Sequence, residues 1–155
     1  MESIIVHPLA RGIADHVRSA RRAPEYGHPV HEELATGTGP CRECLRPFEA
    51  GAEHRLLFTH NPFAGTSALA QPGPVFIHAE ACPSHAGAGY PEGLRSIPIV
   101  AQAYHEDGTI AEPRRLASGD EGTTLAEVLS DSRVRFVNLR HAQAGCFIAR
   151  AERAE

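Results

Sequence analysis

Two residue types are absent from this chain of 155 residues. It contains no lysine, so all 15 of its basic residues are arginine, and it contains no tryptophan. Without lysine, the protein cannot form a Schiff base, use a lysine as a general base or hold a phosphate with the lysine of a P-loop. These three chemistries are excluded by composition alone.

Positive charge is also scarce. The 15 arginines are outnumbered by 19 acidic residues, which gives a net charge of −4. A protein that binds nucleic acid without sequence preference needs a basic face that neutralises phosphates. The charge balance therefore predicts that nucleic acid is not a partner.

Long apolar segments are missing as well. No stretch approaches the roughly 20 apolar residues of a membrane-spanning helix. Charged residues interrupt the N-terminal segment, residues 1–22, where a signal peptide would have an apolar core. The four cysteines are too few for a disulfide scaffold. These features predict a cytoplasmic protein with no membrane partner and with reduced cysteines.

Local patterns predict two helices and several short strands. Leu9, Ile13 and Val17 recur at helical spacing before Pro24, and Thr124-x-x-Glu127 is typical of the capping box that begins a helix. Apolar and β-branched runs predict strands at residues 3–7, 53–60, 74–80, 97–106, 109–116, 134–141 and 146–151. Residues rich in proline and glycine predict loops at 23–40 and 83–95.

Hairpins connect most of these strands. Asp107-Gly108 is typical of a type I′ turn, Gly145 lies in a second turn, and Pro113 indicates an edge strand. Helices and strands do not alternate as a parallel sheet requires. We therefore predict a single α+β domain over residues 1–155, with a mainly antiparallel sheet of about six or seven strands and two helices.

The strongest chemical signal is the pair Cys41-x-x-Cys44. Zinc takes four tetrahedral ligands from thiolates and imidazoles, and two pairs on separate loops supply them. His78 and Cys82 form the second candidate pair, and His28, His31 and His85 are substitutes. One C-x-x-C is a weaker signal than two, and a chain of this length can bury a core without a metal. The sequence does not require a cofactor, but if a metal is bound here, the ligand types predict zinc.

Two other interpretations of the cysteine pair remain open. Cys41 could be a thiolate of low pKa with Cys44 as the resolving thiol of a redox pair, although a redox site of the thioredoxin type begins a helix and Pro47 prevents one here. Alternatively, the two cysteines pack as apolar side chains in a tight loop, because free cysteine is among the most buried residue types.

Other side chains with chemical potential lie outside this pair. His78 and Glu80 share a strand face and could form a histidine–carboxylate pair for general-base catalysis. Arg140 beside His141 could bind a carboxylate or phosphate. Cys146 is predicted to be a core residue rather than a nucleophile.

Several segments together resemble one bacterial family, Domain of Unknown Function 1203. The matching segments are PCRECLRPFEAG, LLFTHNPF, GPVFIHAEAC, HEDG and VRFVNLRHAQAGCFIAR. They span residues 40–152, and residues 1–39 precede them as a strand, a helix and a loop. The family name implies no activity. From the residues alone we expect a small-molecule or metal-binding domain whose cysteines and His78 could hold a structural zinc ion, or alternatively a small enzyme that uses His78 and Glu80 or the Cys41 thiol.

Overall fold

The computed structural model describes residues 4–37, 39–63 and 71–154, so Ser3 of the first predicted strand lies outside the described residues. In chain order the elements are β1 (Ile4–His7), α1 (Arg11–Ala20), β2 (His31–Leu34), β3 (His54–His60), β4 (Gly73–His78), a 3-10 turn (Glu92–Leu94), β5 (Ile99–His105), β6 (Arg114–Arg115), α2 (Glu121–Leu129), β7 (Val134–His141) and β8 (Phe147–Arg153). They fall into two compact units, one of residues 4–7 with 86–154 and one of residues 8–85.

The unit of residues 4–7 and 86–154 is a five-stranded antiparallel sheet in the order β1-β8-β7-β5-β6. Both predicted hairpins are confirmed as antiparallel, and β6 is the predicted edge strand. Gly145 turns the β7–β8 hairpin at φ 79°. At the Asp107-Gly108 turn only Gly108 has positive φ, and the Gly108 amide donates to the His105 carbonyl at 3.0 Å. This is a type I turn followed by a left-handed glycine, so the type I′ prediction was wrong.

Helix α2 belongs to the same unit and contacts β7, β8 and β1. It begins at Glu121 after Asp120, three residues before the predicted N-cap Thr124, and no side chain caps its N-terminus. Leu125 and Leu129 are buried, as their spacing predicted. The capping-box prediction was wrong because Thr124 already lies one turn inside the helix.

The unit of residues 8–85 is a three-stranded antiparallel sheet in the order β2-β3-β4, with α1 in the same core. Strand β2 lies in residues predicted to be a loop. It was missed because its sequence, His-Glu-Glu-Leu, is mostly exposed and carries no apolar alternation. The central strand β3 contributes Leu56 and Phe58 to the core, as its alternation predicted.

The α+β class, the two helices and the antiparallel pairing are confirmed for the described residues. The single sheet of six or seven strands was wrong, since the described residues contain eight strands in two sheets. Turn chemistry predicts which neighbouring strands pair, but it does not reveal where one sheet ends and another begins. The single domain over residues 1–155 stays a prediction. No described helix has the length and apolar character needed to cross a membrane.

The side chain of Arg153 contacts the C-terminal end of α2. Its guanidinium donates to the carbonyls of Leu129, Asp131 and Val134 at 2.5–2.7 Å. Replacing Arg153 with Met should lower the free energy of unfolding by about 1–2 kcal/mol, because charged hydrogen bonds to carbonyls at a helix C-terminus are lost. Urea denaturation measures the change.

The matched control is Arg133→Met. Arg133 is 77% exposed and pairs with Asp131 at 2.8 Å. Its loss should leave the free energy of unfolding nearly unchanged, because an exposed ion pair contributes little to stability. Equal effects of the two substitutions would contradict the role assigned to Arg153.

Candidate metal centre

The loop of residues 40–47 forms a tight turn around the first cysteine pair. Pro40 and Pro47 pair as an antiparallel bridge. Inside them, the Cys41 amide donates to the Arg46 carbonyl at 3.0 Å and the Leu45 amide donates to the Cys41 carbonyl at 2.9 Å. Leu45 has φ 58°, a conformation that few bulky residues adopt. We call residues 40–47 the knuckle; it buries both Cys41 and Cys44.

Strand β4 brings the second pair to the knuckle. The Arg42 amide donates to the Phe76 carbonyl at 3.0 Å, which fixes the knuckle beside β4. His78 is the last residue of β4, and its amide donates to the Cys41 sulfur at 3.3 Å. Cys82 follows four residues later, where the chain has left the strand. The end of β4 and the loop after it therefore face the knuckle.

All four predicted metal ligands meet at this point. Among the described residues, Cys41, Cys44, His78 and Cys82 form a group whose ligand atoms lie within 4.8 Å of one another. The Cys41 and Cys82 sulfurs are 3.8 Å apart, and the Cys44 sulfur is 3.5 Å from Nδ1 of His78. These three cysteines and Cys146, all of them described residues, form no disulfide. This Cys3His group can hold a metal ion.

Contacts within the group shift the pKa values of two of its thiols and of its histidine. Hydrogen bonds from Cys41, Cys82 and His78, together with the Arg46 amide, hold the pKa of Cys44 far below its usual range. Hydrogen bonds with the Cys41 and Cys44 sulfurs, together with burial, raise the pKa of Cys82, which favours its protonated form. Hydrogen bonds to the Cys41 and Cys44 sulfurs raise the pKa of His78 to about 10. These shifts favour a thiolate at Cys44 beside an imidazolium at His78 when no metal is bound.

The outer nitrogen of His78 also has a partner. Nε2 lies 3.0 Å from a carboxylate oxygen of Glu53, the residue before β3. Hydrogen bonds from the Glu49 amide and from His78 lower the pKa of Glu53. The Phe48 ring packs edge-on against the imidazole at 4.7 Å. These contacts fix the ring so that Nδ1 faces the sulfurs.

A buried ion pair lies on the other side of the group. The Glu43 side chain, from the middle of the C-x-x-C segment, is 1% exposed and lies 2.7 Å from Nη1 of Arg18. Nη2 of Arg18 is 3.5 Å from the Cys82 sulfur, and Nε donates to the His78 carbonyl at 3.1 Å. Ser84 donates to the second oxygen of Glu43 at 2.8 Å.

The substitute histidines lie apart from the group. His28 bonds Thr59 at 2.9 Å, and His31 is an exposed residue beside Glu33. The His85 amide donates to the Glu43 carbonyl at 2.8 Å, but its ring is not part of the group.

The catalytic pair predicted from the sequence is arranged differently in space. Glu80 is exposed, and the carboxylate that His78 contacts is Glu53. Both carboxylates line a groove of about 360 Å³ that also includes His54 and Arg21. His78 therefore lies between the sulfurs and this groove.

The other candidates lie in the β7–β8 hairpin. Arg140 donates to the Gly145 carbonyl at 3.0 Å, and Nδ1 of His141 accepts from the Gln143 amide at 3.1 Å. Both side chains therefore take part in the turn, and ligand binding by them stays a prediction. Cys146 is half-buried rather than fully in the core.

Sequence reasoning missed the residues that surround the ligands. Glu43 could have been noticed, because it stands within the C-x-x-C segment. Arg18 and Glu53 carry no such signal. Arg18 lies in α1 and Glu53 lies just before β3, so only folding brings them to the group.

Comparison with known proteins places the chain without assigning an activity. No curated protein and no solved structure matches it significantly. A family model matches residues 38–153, which include all four candidate ligands and Glu43, whereas Arg18 precedes the matched region. The resemblance predicted from the sequence is thereby confirmed, and the chain belongs to the family described as protein of unknown function (DUF1203).

Proposed function

We propose that this protein is a metal-binding domain in which Cys41, Cys44, Cys82 and Nδ1 of His78 hold one structural zinc ion. The observation that carries the proposal is the convergence of these four ligand atoms to within 4.8 Å. Three thiolates and one imidazole are a donor set typical of structural zinc.

The separations fit a tetrahedral ion. With Zn–S near 2.3 Å and Zn–N near 2.05 Å, two sulfurs lie about 3.8 Å apart and a sulfur lies about 3.5 Å from a nitrogen. The Cys41–Cys82 and Cys44–His78 distances are 3.8 and 3.5 Å. No separation between ligand atoms in the group exceeds 4.8 Å, so the longest edge needs to close by at most about 1.3 Å.

The surroundings favour a structural role over a catalytic one. A catalytic zinc keeps one coordination position open for water or substrate, whereas four protein ligands close the sphere. Three of the four ligands are buried, and the fourth, Cys82, is half-buried. Glu53 holds the outer nitrogen of His78, as a carboxylate commonly does behind a zinc-bound histidine.

The size of the unit supplies an energetic reason for a metal. The candidate site lies within the unit of residues 8–85, whose sheet has three strands. A unit of about 80 residues or fewer seldom gains more than about 3–5 kcal/mol from its core, and a structural metal adds to that. Cys41 and Cys44 are themselves part of this core.

A second candidate function concerns the groove beside His78. The His78–Glu53 contact and Glu80 line about 360 Å³ of space, which suits a small polar molecule. A small enzyme that uses His78 for acid–base chemistry would act there; because the pKa of His78 is raised to about 10, the ring would have to lose a proton before it could act as a base. Thiol chemistry at Cys41 has less support, because this residue is 0% exposed and its sulfur offers no approach to a substrate.

Metal content is the direct test of the zinc proposal. Protein purified without a histidine tag should contain one zinc per chain by elemental analysis. Cys44→Ala should lose stoichiometric zinc, and it should melt well below the wild type because metal-binding energy is folding energy.

Cys146→Ala is the matched control, since Cys146 lies outside the group. It should keep one zinc. A wild type without metal whose melting temperature differs little from that of Cys44→Ala would reject the zinc proposal and leave the groove as the candidate site. A disulfide found by mass spectrometry in the untreated protein would instead favour the redox interpretation.

Glu53 provides a second test. Glu53→Gln should weaken zinc binding about 10- to 100-fold, the usual effect of removing a carboxylate that orients a ligating histidine. The dissociation constant can be measured by competition with a chelator. Glu80→Gln changes a carboxylate in the same groove and should leave zinc affinity unchanged; equal losses in the two variants would count against the orienting role of Glu53.

A further inference from the structure

One guanidinium contacts three components of the candidate metal centre. Arg18 donates through Nε to the carbonyl of His78, through Nη2 to the sulfur of Cys82 and through Nη1 to the carboxylate of Glu43. The distances are 3.1, 3.5 and 2.7 Å. A side chain that only balanced the charge of Glu43 would need the contact with the Glu43 carboxylate and neither of the other two.

The charges around the site show why a cation belongs there. Zinc with three thiolates and a neutral imidazole carries a net charge of −1, and the Glu43 side chain adds another negative charge at 1% exposure. The Arg18 side chain is 12% exposed, so water screens its interactions only in part. Arginine suits the position, because its planar fork can serve several acceptors at once.

Cys82 is the ligand that most needs this support. The other three ligands are buried in the knuckle or at the end of β4, whereas Cys82 is half-buried in a segment without regular structure. The hydrogen bond from Nη2 of Arg18 holds the Cys82 sulfur in place, and it would offset the negative charge of Cys82 once this residue binds zinc as a thiolate. The hydrogen bond to the His78 carbonyl ties the same guanidinium to the end of β4.

We propose that Arg18 is the positioning residue of the metal centre: through its contacts with Cys82 and His78, helix α1 holds the fourth ligand against the ion and slows its release. This inference rests on the proposed zinc site and deepens it. Arg18 precedes the residues matched by the family model, so α1 contributes to the centre from outside the matched region.

The test compares variants that separate Arg18 from its partner Glu43. The double variant Arg18→Met/Glu43→Gln removes both charges and leaves no unpaired buried carboxylate. Its zinc dissociation constant, measured by chelator competition, should rise about 10- to 100-fold, as for other residues that support metal ligands. Glu43→Gln alone should bind zinc at least as tightly as the wild type, because Arg18 remains.

Two further variants sharpen the comparison. Arg18→Lys keeps the charge without the planar fork, and its affinity should lie between those of the wild type and the double variant. Arg21→Gln is the control: Arg21 follows the same helix, is exposed, and pairs with Glu32 at 2.6 Å. It should bind zinc as the wild type does.

Two readouts distinguish positioning from general stabilisation. In the Co²⁺-substituted protein, the thiolate-to-cobalt absorption should weaken in the double variant, as expected if Cys82 leaves the ion. The melting temperature should fall more for the zinc-loaded form than for the metal-free form. A purely structural role would lower both melting temperatures equally and leave the absorption unchanged.

The outcomes are separable. If the wild type binds no zinc, the proposed function fails. If the wild type binds zinc and the double variant matches it within twofold, or if Glu43→Gln alone weakens binding as much as the double variant, Arg18 is not the positioning residue.

Discussion

The arrangement of the unit of residues 8–85 depends on one constraint, the close approach of three sulfurs and an imidazole inside an apolar core. The knuckle supplies Cys41 and Cys44, and the end of β4 supplies His78, with the Arg42 amide joined to β4 at 3.0 Å. Thiolates held this close together repel one another unless a cation lies among them. Retained protons relieve part of this repulsion, and the pKa values of His78 and Cys82 are both raised in that direction.

The residues around the ligands balance the remaining charge and hold the ligand side chains in place. Glu53 engages the outer nitrogen of His78, and backbone amides donate to the sulfurs of Cys41 and Cys44. Glu43 would be costly to bury alone, and Arg18 and Ser84 satisfy its two carboxylate oxygens. The C-x-x-C segment therefore places Glu43 beside its own cysteines, and the Arg18 guanidinium from α1 offsets the cost of burying this negative charge.

The two candidate functions, a metal centre and a small enzyme, both use His78. Its two ring nitrogens face different surroundings, the sulfurs on one side and the groove with Glu53 on the other. A histidine whose Nδ1 holds a metal and whose Nε2 is engaged by a carboxylate has no free nitrogen with which to accept a substrate proton. Metal binding and general-base catalysis by His78 therefore compete for the same ring.

The sequence alone determined which residues have metal-binding chemistry and which strands pair. Cys41-x-x-Cys44 has knuckle spacing, and the turns at Gly108 and Gly145 connect antiparallel strands, because such signals act over a few residues. Family membership was also readable from segment order. The division of eight strands into two sheets, and the weakly patterned strand β2, were decided by tertiary packing. The same is true of the partners of the site. Arg18 meets Cys82 across 64 positions of sequence, and His78 pairs with Glu53 rather than Glu80, because hydrogen bonds form between groups that are close in space, whatever their distance along the chain.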